Sequence, residues 1–376
     1  MKHQLLKEII TGNPRGCLAQ SGRPTWGNRH KPNRRLRDRL CGTRNRFLQR
    51  KRIWAKATPG PEVRVDYLWV LAGLVLLFGG GEALVRGAVA LAQRWGVSAG
   101  LVGLTLVAMG TSAPELVVSV QASLGGQPDI ALGNVLGSNI ANILLILGTT
   151  ALIRPLAARP VVVWRDGTVM VAASLGVALL AQTGWLGRGA GGVMLVALAG
   201  FLGFTWWHDR RQGPQLAPEA LEGAVLAPRP SLWGNLFWTA LGLAALVGGS
   251  KALLLGATSL ARAAGVSEAV IGLSLVAVGT SLPELATSLV AAWRHQADVA
   301  VGNVVGSNIF NLLGILGTAA LVRPLPVDPA MARSDVWIML GAAVLLLPFL
   351  ITGWRLNRAE GLFLLVAYGG YLAYLF

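Results

Sequence analysis

Shifted by 169 residues, the chain matches itself without a gap. GVSAGLVGLTLVAMGTSAPELVVSV at 96–120 meets GVSEAVIGLSLVAVGTSLPELATSL at 265–289. DIALGNVLGSNIANILLILG at 129–148 meets DVAVGNVVGSNIFNLLGILG at 298–317. Over 96–155 against 265–324, 36 of 60 positions are identical, so one structural unit is used twice. The match reaches into loops: Arg154-Pro155 returns as Arg323-Pro324, and Thr183-Gly184-Trp185 as Thr352-Gly353-Trp354. A stacked solenoid would need more and shorter repeats.

The repeated unit belongs in a membrane. Only 13% of the residues are charged, about half the ~25% of a soluble protein. Mean hydropathy is +0.56. Windows of about 20 apolar residues recur. They place spans at roughly 67–86, 98–124, 130–152, 161–182, 189–207, 235–258, 267–293, 299–320, 335–352 and 359–376. Five spans per copy is an odd number, so the second copy enters the membrane from the opposite side. The expected fold class is therefore all-α integral membrane, with ten transmembrane helices as two inverted-topology five-helix repeats. The first repeat covers 65–207 and the second 235–376, joined by a polar, proline-rich linker at 208–234.

The net charge of +16 sits mostly in a front tail: residues 1–64 hold 17 Lys and Arg against three acids. This tail, with both cysteines (Cys17 and Cys41), reads as disordered. Three readings stand for it: a contact for anionic lipid or nucleic acid, a plain solvated tail, or translation that starts near Val63 or Val65. Arginines in the loops after odd-numbered spans number ten, against four after even-numbered ones. That bias puts the linker in the cytoplasm of a plasma-membrane protein and both termini outside, although the basic tail argues the other way.

The second and seventh spans carry Gly110-Thr111-Ser112-Ala113-Pro114-Glu115 and Gly279-Thr280-Ser281-Leu282-Pro283-Glu284. An acid at mid-bilayer costs several kcal/mol and is retained with a partner or a function. Neither Glu has a Lys or Arg near it in its own span. Two such carboxylates brought together by a pseudo-twofold axis repel unless a cation sits between them. Each proline removes a backbone N–H and kinks its helix, which predicts freed carbonyls one turn earlier, at Ala108 and Val107 and at Ala277 and Val276. The third and eighth spans add Gly133-Asn134, Gly137-Ser138-Asn139 and Asn142, mirrored by Gly302-Asn303, Gly306-Ser307-Asn308 and Asn311. Carboxylate, carbonyl, amide and hydroxyl oxygens suit Ca²⁺ or Na⁺ and do not suit Zn²⁺ or copper.

Other polar residues have plainer readings. Isolated Ser and Thr bond back to their own helix. Asn139 and Asn308 serve as ligands or as glue between helices. Glu82 pairs with Arg86 at i, i+4. Asp129 and Asp298 open helices, where negative charge is favoured. None of the four histidines (His3, His30, His208, His295) lies within a span, and no span holds paired Asp, which argues against an intramembrane protease. The inverted repeat favours a carrier over a channel. No enzyme activity, cofactor, nucleic acid or obligate protein partner is expected; the lipid bilayer is.

The paired signature G-T-S-x-P-E followed by G-N-x-x-G-S-N-x-x-N resembles that of the cation/Ca²⁺ antiporters, and within them the bacterial sodium/calcium exchangers. The likeness covers about 66–376 and leaves the tail outside. It implies that Glu115 and Glu284 are central ligands shared by transported Na⁺ and Ca²⁺. Thr111 and Thr280 would support a Ca²⁺ site. Ser112, Ser281, Ser138 and Ser307, with the carbonyls of Ala108 and Ala277, would complete flanking Na⁺ sites, and Asn142 and Asn311 would border the middle. The best-known members have Asp where this chain has Asn311. The resemblance implies Na⁺/Ca²⁺ exchange by alternating access, with spans 1 and 6 sliding on Gly79-Gly80-Gly81 and Gly248-Gly249. An H⁺/Ca²⁺ antiporter, or one for another divalent cation, is the alternative.

Overall fold

The computed structural model describes residues 61–212, 231–265 and 277–375. The tail up to Gly60, most of the linker and the first part of the seventh expected span lie outside the described residues. Helix α1 runs Pro61–Trp95, so it starts four residues inside the segment assigned from sequence to the tail, on a proline suited to a first helical turn. Then follow α2 (Ala99–Thr111), α3 (Ala113–Leu124), α4 (Pro128–Ile153), α5 (Val162–Ala181) and α6 (Arg188–Gln212). Helix α6 continues five residues into the expected linker, through His208 to Gln212. The second half holds α7 (Leu232–Ala263), α8 (Ala277–Thr280), α9 (Leu282–Trp293), α10 (Ala297–Val322), α11 (Pro329–Arg333), α12 (Asp335–Ile351) and α13 (Arg358–Leu375).

Among the described residues seven helices are long and apolar enough to cross a membrane, and an eighth if α2 and α3 form one span. The chain is a multi-pass membrane protein. The expected second span is not one straight rod: α2 and α3 meet at a 46° bend. Ser112 sits at the bend with φ −81° and ψ 9°, outside helical geometry, and Pro114 lies in the first turn of α3. Ser281, at φ −88° and ψ 7°, precedes α9 and Pro283 in the same way.

Four two-residue strands qualify the all-helical expectation. Leu156–Ala157 (β1) pairs antiparallel with Arg355–Leu356 (β4), and Trp185–Leu186 (β2) with Leu325–Pro326 (β3). Each ribbon is extended by one more bond: Ala158 N–H donates to the Trp354 carbonyl at 2.9 Å, and Val327 N–H to the Gly184 carbonyl at 3.0 Å. Strands β1 and β2 flank α5, whose 20 residues span about 30 Å. Helix α4 therefore ends beside one ribbon, and its repeat mate α10 ends beside the other, at the far end of α5.

Helices α1 and α7 pack along their length through glycines seven residues apart: Gly73, Gly80 and Gly87 on one, Gly242, Gly249 and Gly256 on the other. A Cβ on Gly73 would fall 2.5 Å from the Leu253 amide nitrogen, and one on Gly242 would fall 2.6 Å from that of Leu84. Backbones this close exclude any side chain. The other faces of this pair expose Leu68, Trp69, Val75, Phe237 and Trp238, as lipid contact requires. At the opposite extreme stands α10, whose most apolar window is 100% buried, followed by α4 at 72%; both values place these two helices at the centre.

Candidate cation site

The site is built where the two helix breaks meet α4 and α10. Pro114 and Pro283 end one helix and open another in mid-chain. Glu115 and Glu284 thereby fall in the first turns of α3 and α9. A helix N-terminus carries partial positive charge, which favours a carboxylate there. Both side chains are 1% exposed. No described ion pair reaches either of them; the described pairs join Arg86 and Arg294 to Glu82, Arg159 to Asp298, and Arg165 to Asp166.

Each Glu is held by the other copy. Ser112 Oγ donates to Glu284 Oε1 at 2.8 Å, and Ser281 Oγ donates to Glu115 Oε1 at 3.3 Å. The second oxygen of each carboxylate, Oε2, is buried and has no hydrogen-bond partner among the described residues. Thr111 Oγ1 donates to Asn303 Oδ1 at 3.2 Å, another bond between copies. Thr280 is half-buried beside Ser281.

Helices α4 and α10 supply neutral oxygens. Asn142 Nδ2 donates to Asn308 Oδ1 at 3.1 Å, and Asn311 Nδ2 donates to Ser138 Oγ at 3.1 Å. With their nitrogens engaged, Asn142 and Asn311 keep a buried Oδ1 without a partner, as Ser307 keeps its Oγ. Both amides sit in π-helical turns, Asn142–Leu147 and Phe310–Ile315, a wider turn that the sequence did not signal and that recurs at functional positions. Ser138 Oγ also donates to its own helix, to the Val135 carbonyl at 3.1 Å.

The two carbonyl ligands fare differently from expectation. The Ala108 carbonyl is not freed: it accepts Ser112 N–H at 3.0 Å and Thr111 Oγ1 at 3.3 Å. Pro114 withholds its missing N–H from the residue four positions earlier, Gly110, so the break falls one half-turn later than expected. Ala277 lies at the edge of the described residues, and Val276 outside them.

Two asparagines of the repeated motif have a role that the motif alone does not reveal. Asn303 Nδ2 donates to Ser288 Oγ at 3.1 Å and to the Glu284 carbonyl at 3.4 Å. Asn134 Nδ2 donates to Ser119 Oγ at 2.8 Å and to the Glu115 carbonyl at 3.2 Å. Each thus braces the turn that carries a Glu. The signal is in the spacing, because both asparagines follow their Glu by 19 residues and both serines lie four residues after it. Asn308 acts between helices, whereas Asn139 Nδ2 bonds back to the Val135 carbonyl at 2.7 Å. Glu82 pairs with Arg86 as expected and also with Arg294, just past the end of α9, at 2.5 Å. Asp298 opens α10 as expected and pairs with Arg159 at 3.0 Å.

Among the described residues no three His, Cys, Asp or Glu side chains gather into a soft or multi-acid metal site. The unpartnered atoms named above are all hard oxygens, two carboxylate, two amide and one hydroxyl, and Asn139 Oδ1 is a further buried amide oxygen without a partner among the described residues. That donor set fits an alkali or alkaline-earth cation.

The model of the family described as sodium/calcium exchanger protein matches residues 65–207 and 234–376. The chain belongs to the sodium/calcium exchanger family. The second matched stretch begins and ends 169 residues after the first, the same shift as the internal repeat. Among relatives in this family, the putative antiporter CaxA of Alkalimonas amylolytica is 40% identical over 316 residues, 83% of this chain and 99% of that protein. The sodium/calcium exchanger MaX1 of Methanosarcina acetivorans is 34% identical, covering 84% of this chain and 99% of the relative. The solved structure of the sodium-calcium exchanger NCX_Mj soaked with zero Na⁺ and Ca²⁺ is 30% identical with a TM-score of 0.72, covering 84% of this chain and 100% of that one. These likenesses make the chain a cation antiporter of the membrane by family, not a member of an enzyme family.

Proposed function

We propose that this exchanger moves Ca²⁺ against Na⁺ by alternating access at the site between Glu115 and Glu284. The observation that carries the reading is the reciprocal pairing of each buried Glu with the other copy's serine, which leaves one oxygen of each carboxylate unpartnered. In this reading Asn142, Asn311, Ser138 and Ser307 line the middle of the site. Ser112, Ser281, Thr111 and Thr280 hold the carboxylates or add hydroxyls, and the Ala277 carbonyl lies at its edge. A bound cation offsets the repulsion of the two carboxylates. A filled site therefore crosses the barrier and an empty, doubly charged one does not.

The scaffold for this cycle is ten spans in two five-helix copies of opposite orientation, 65–207 and 235–376, in the plasma membrane with the linker in the cytoplasm. The two ribbons support it, since the ends of α4 and α10 lie at opposite ends of α5. Helices α1 and α7 are the moving pair. Their contact is built on glycines that lie against backbone and against side chains such as Ala245 and Leu76, and their outer faces carry exposed apolar side chains.

The test is ⁴⁵Ca²⁺ uptake into proteoliposomes loaded with Na⁺ and diluted into Na⁺-free or Na⁺-containing buffer, with Glu115→Gln and Glu284→Gln alongside. Uptake should require the outward Na⁺ gradient and vanish in both variants. Uptake driven by a pH gradient and indifferent to Na⁺ would move the coupling ion to H⁺. No flux under either gradient would overturn the calcium reading.

A further inference from the structure

The polar atoms of the site carry an uneven mix of charge. Its acids are Glu115 and Glu284, and no third acid joins them among the described residues. Every other unpartnered oxygen named above is neutral: Asn142 Oδ1, Asn311 Oδ1, Ser307 Oγ and Asn139 Oδ1. The amides of Asn142 and Asn311 are oriented, not free to turn. Asn142 Nδ2 is committed to Asn308 Oδ1 and Asn311 Nδ2 to Ser138 Oγ, both at 3.1 Å, so each keeps its oxygen as the available atom. The described cations nearby in sequence are engaged elsewhere: Arg294 with Glu82, and Arg159 with Asp298. Among the described residues the site thus presents two formal negative charges inside a shell of dipoles.

From this we infer that Asn142 and Asn311 set the charge of the site at minus two, and that exchange is electroneutral, one divalent cation against two monovalent ones. The inference rests on the reading of Glu115 and Glu284 as the cation site. The physical reason is the cost of net charge in a dry interior. One Ca²⁺ or two monovalent ions cancel the two carboxylates, whereas three monovalent ions leave a buried positive charge that neutral amides cannot offset. The same count holds if the coupling ion is H⁺, because two protons neutralise two carboxylates. An Asp at position 311 would raise the charge to minus three and admit a third monovalent ion.

The equilibrium Ca²⁺ accumulation ratio reads this directly. The full chain in proteoliposomes is given a fixed Na⁺ (or, if needed, pH) gradient, and the potential is clamped with K⁺ and valinomycin at zero or inside-negative. One net charge per cycle would shift the ratio by about fifty-fold per 100 mV. The expected shift for the unmodified protein is less than about twofold, with two ²²Na⁺ moved per ⁴⁵Ca²⁺ under Na⁺ coupling, the change in ratio being the quantity that the same constant converts. In Asn311→Asp the accumulation should become potential-dependent by about the full fifty-fold. A fifty-fold shift in the unmodified protein, with flux that still dies in Glu115→Gln and Glu284→Gln, overturns the charge count and leaves the site standing. Flux that survives both Gln variants overturns the site, and the inference with it.

Discussion

The inner helices α4 and α10 and the outer pair α1 and α7 solve the same packing problem in different ways. The inner helices are mostly or wholly enclosed, while the outer pair is only 33% buried in its apolar windows. Inside, helices are tied by polar bonds that are specific in partner and geometry: Asn142 to Asn308, Asn311 to Ser138, Thr111 to Asn303. Outside, α1 and α7 touch through glycine backbones at heptad spacing, and polar ties are few, such as Ser259 to Asp66 at 2.7 Å. Lipid offers no hydrophobic drive between helices, so close backbone contact and interhelical hydrogen bonds are the two means left. A hydrogen-bonded core holds one arrangement. A glycine seam holds two helices together chiefly through close backbone contact.

The widest test of that contrast is at the centre. Glu115→Gln or Glu284→Gln should reduce gradient-driven Ca²⁺ uptake by at least about a hundredfold, because each removes one of two charges that the cation offsets. Thermal melting of the purified variants should stay near or above that of the parent, since one buried like-charge repulsion is gone. A large fall in melting temperature in both would mean that the carboxylates brace the fold instead.

The seam comes next. Gly80→Leu places a side chain where a Cβ already lies 2.9 Å from the Gly242 carbonyl oxygen, and should destabilise by about 1–3 kcal/mol and slow transport about tenfold. Gly79→Leu one position earlier faces open space and should change neither rate nor melting temperature. Equal effects at the two positions would remove the case for a seam.

A smaller effect is expected from the bracing amides. Asn303→Ala loses bonds to Thr111, Ser288 and the Glu284 carbonyl, and should weaken apparent Ca²⁺ affinity about tenfold, the worth of one or two net hydrogen bonds. Titrating initial uptake rate against Ca²⁺ separates this from a loss of maximal rate. The smallest effect belongs to the partly exposed pair between α1 and the end of α9. Arg294→Gln leaves Glu82 its bond to Arg86, and should lower stability by less than about 1 kcal/mol, measured by thermal melting in detergent.

Much of the inner region is legible in the residues themselves. The two prolines predict two helix breaks, and each proline lies two residues after a non-helical serine. The Glu residues announce themselves, because a lone acid in an apolar span has few bland explanations. The carbonyl expected at Ala108 is misplaced because a proline withholds its donor from a position four residues back, and which lone pairs remain open depends on neighbours such as Thr111. Asn303 is visible only as a motif letter, since its partners come from both copies.

The sequence by itself determined the repeat, the apolar spans and the acids within them. These are local or periodic properties, written in composition at fixed intervals. The tertiary structure alone decided which serine reaches which carboxylate, because Ser112 and Glu284 are 172 residues apart and no local rule joins them. It also decided which oxygens stay open. An amide or hydroxyl has several ways to satisfy itself, and only the packing of α4 against α10 selects one.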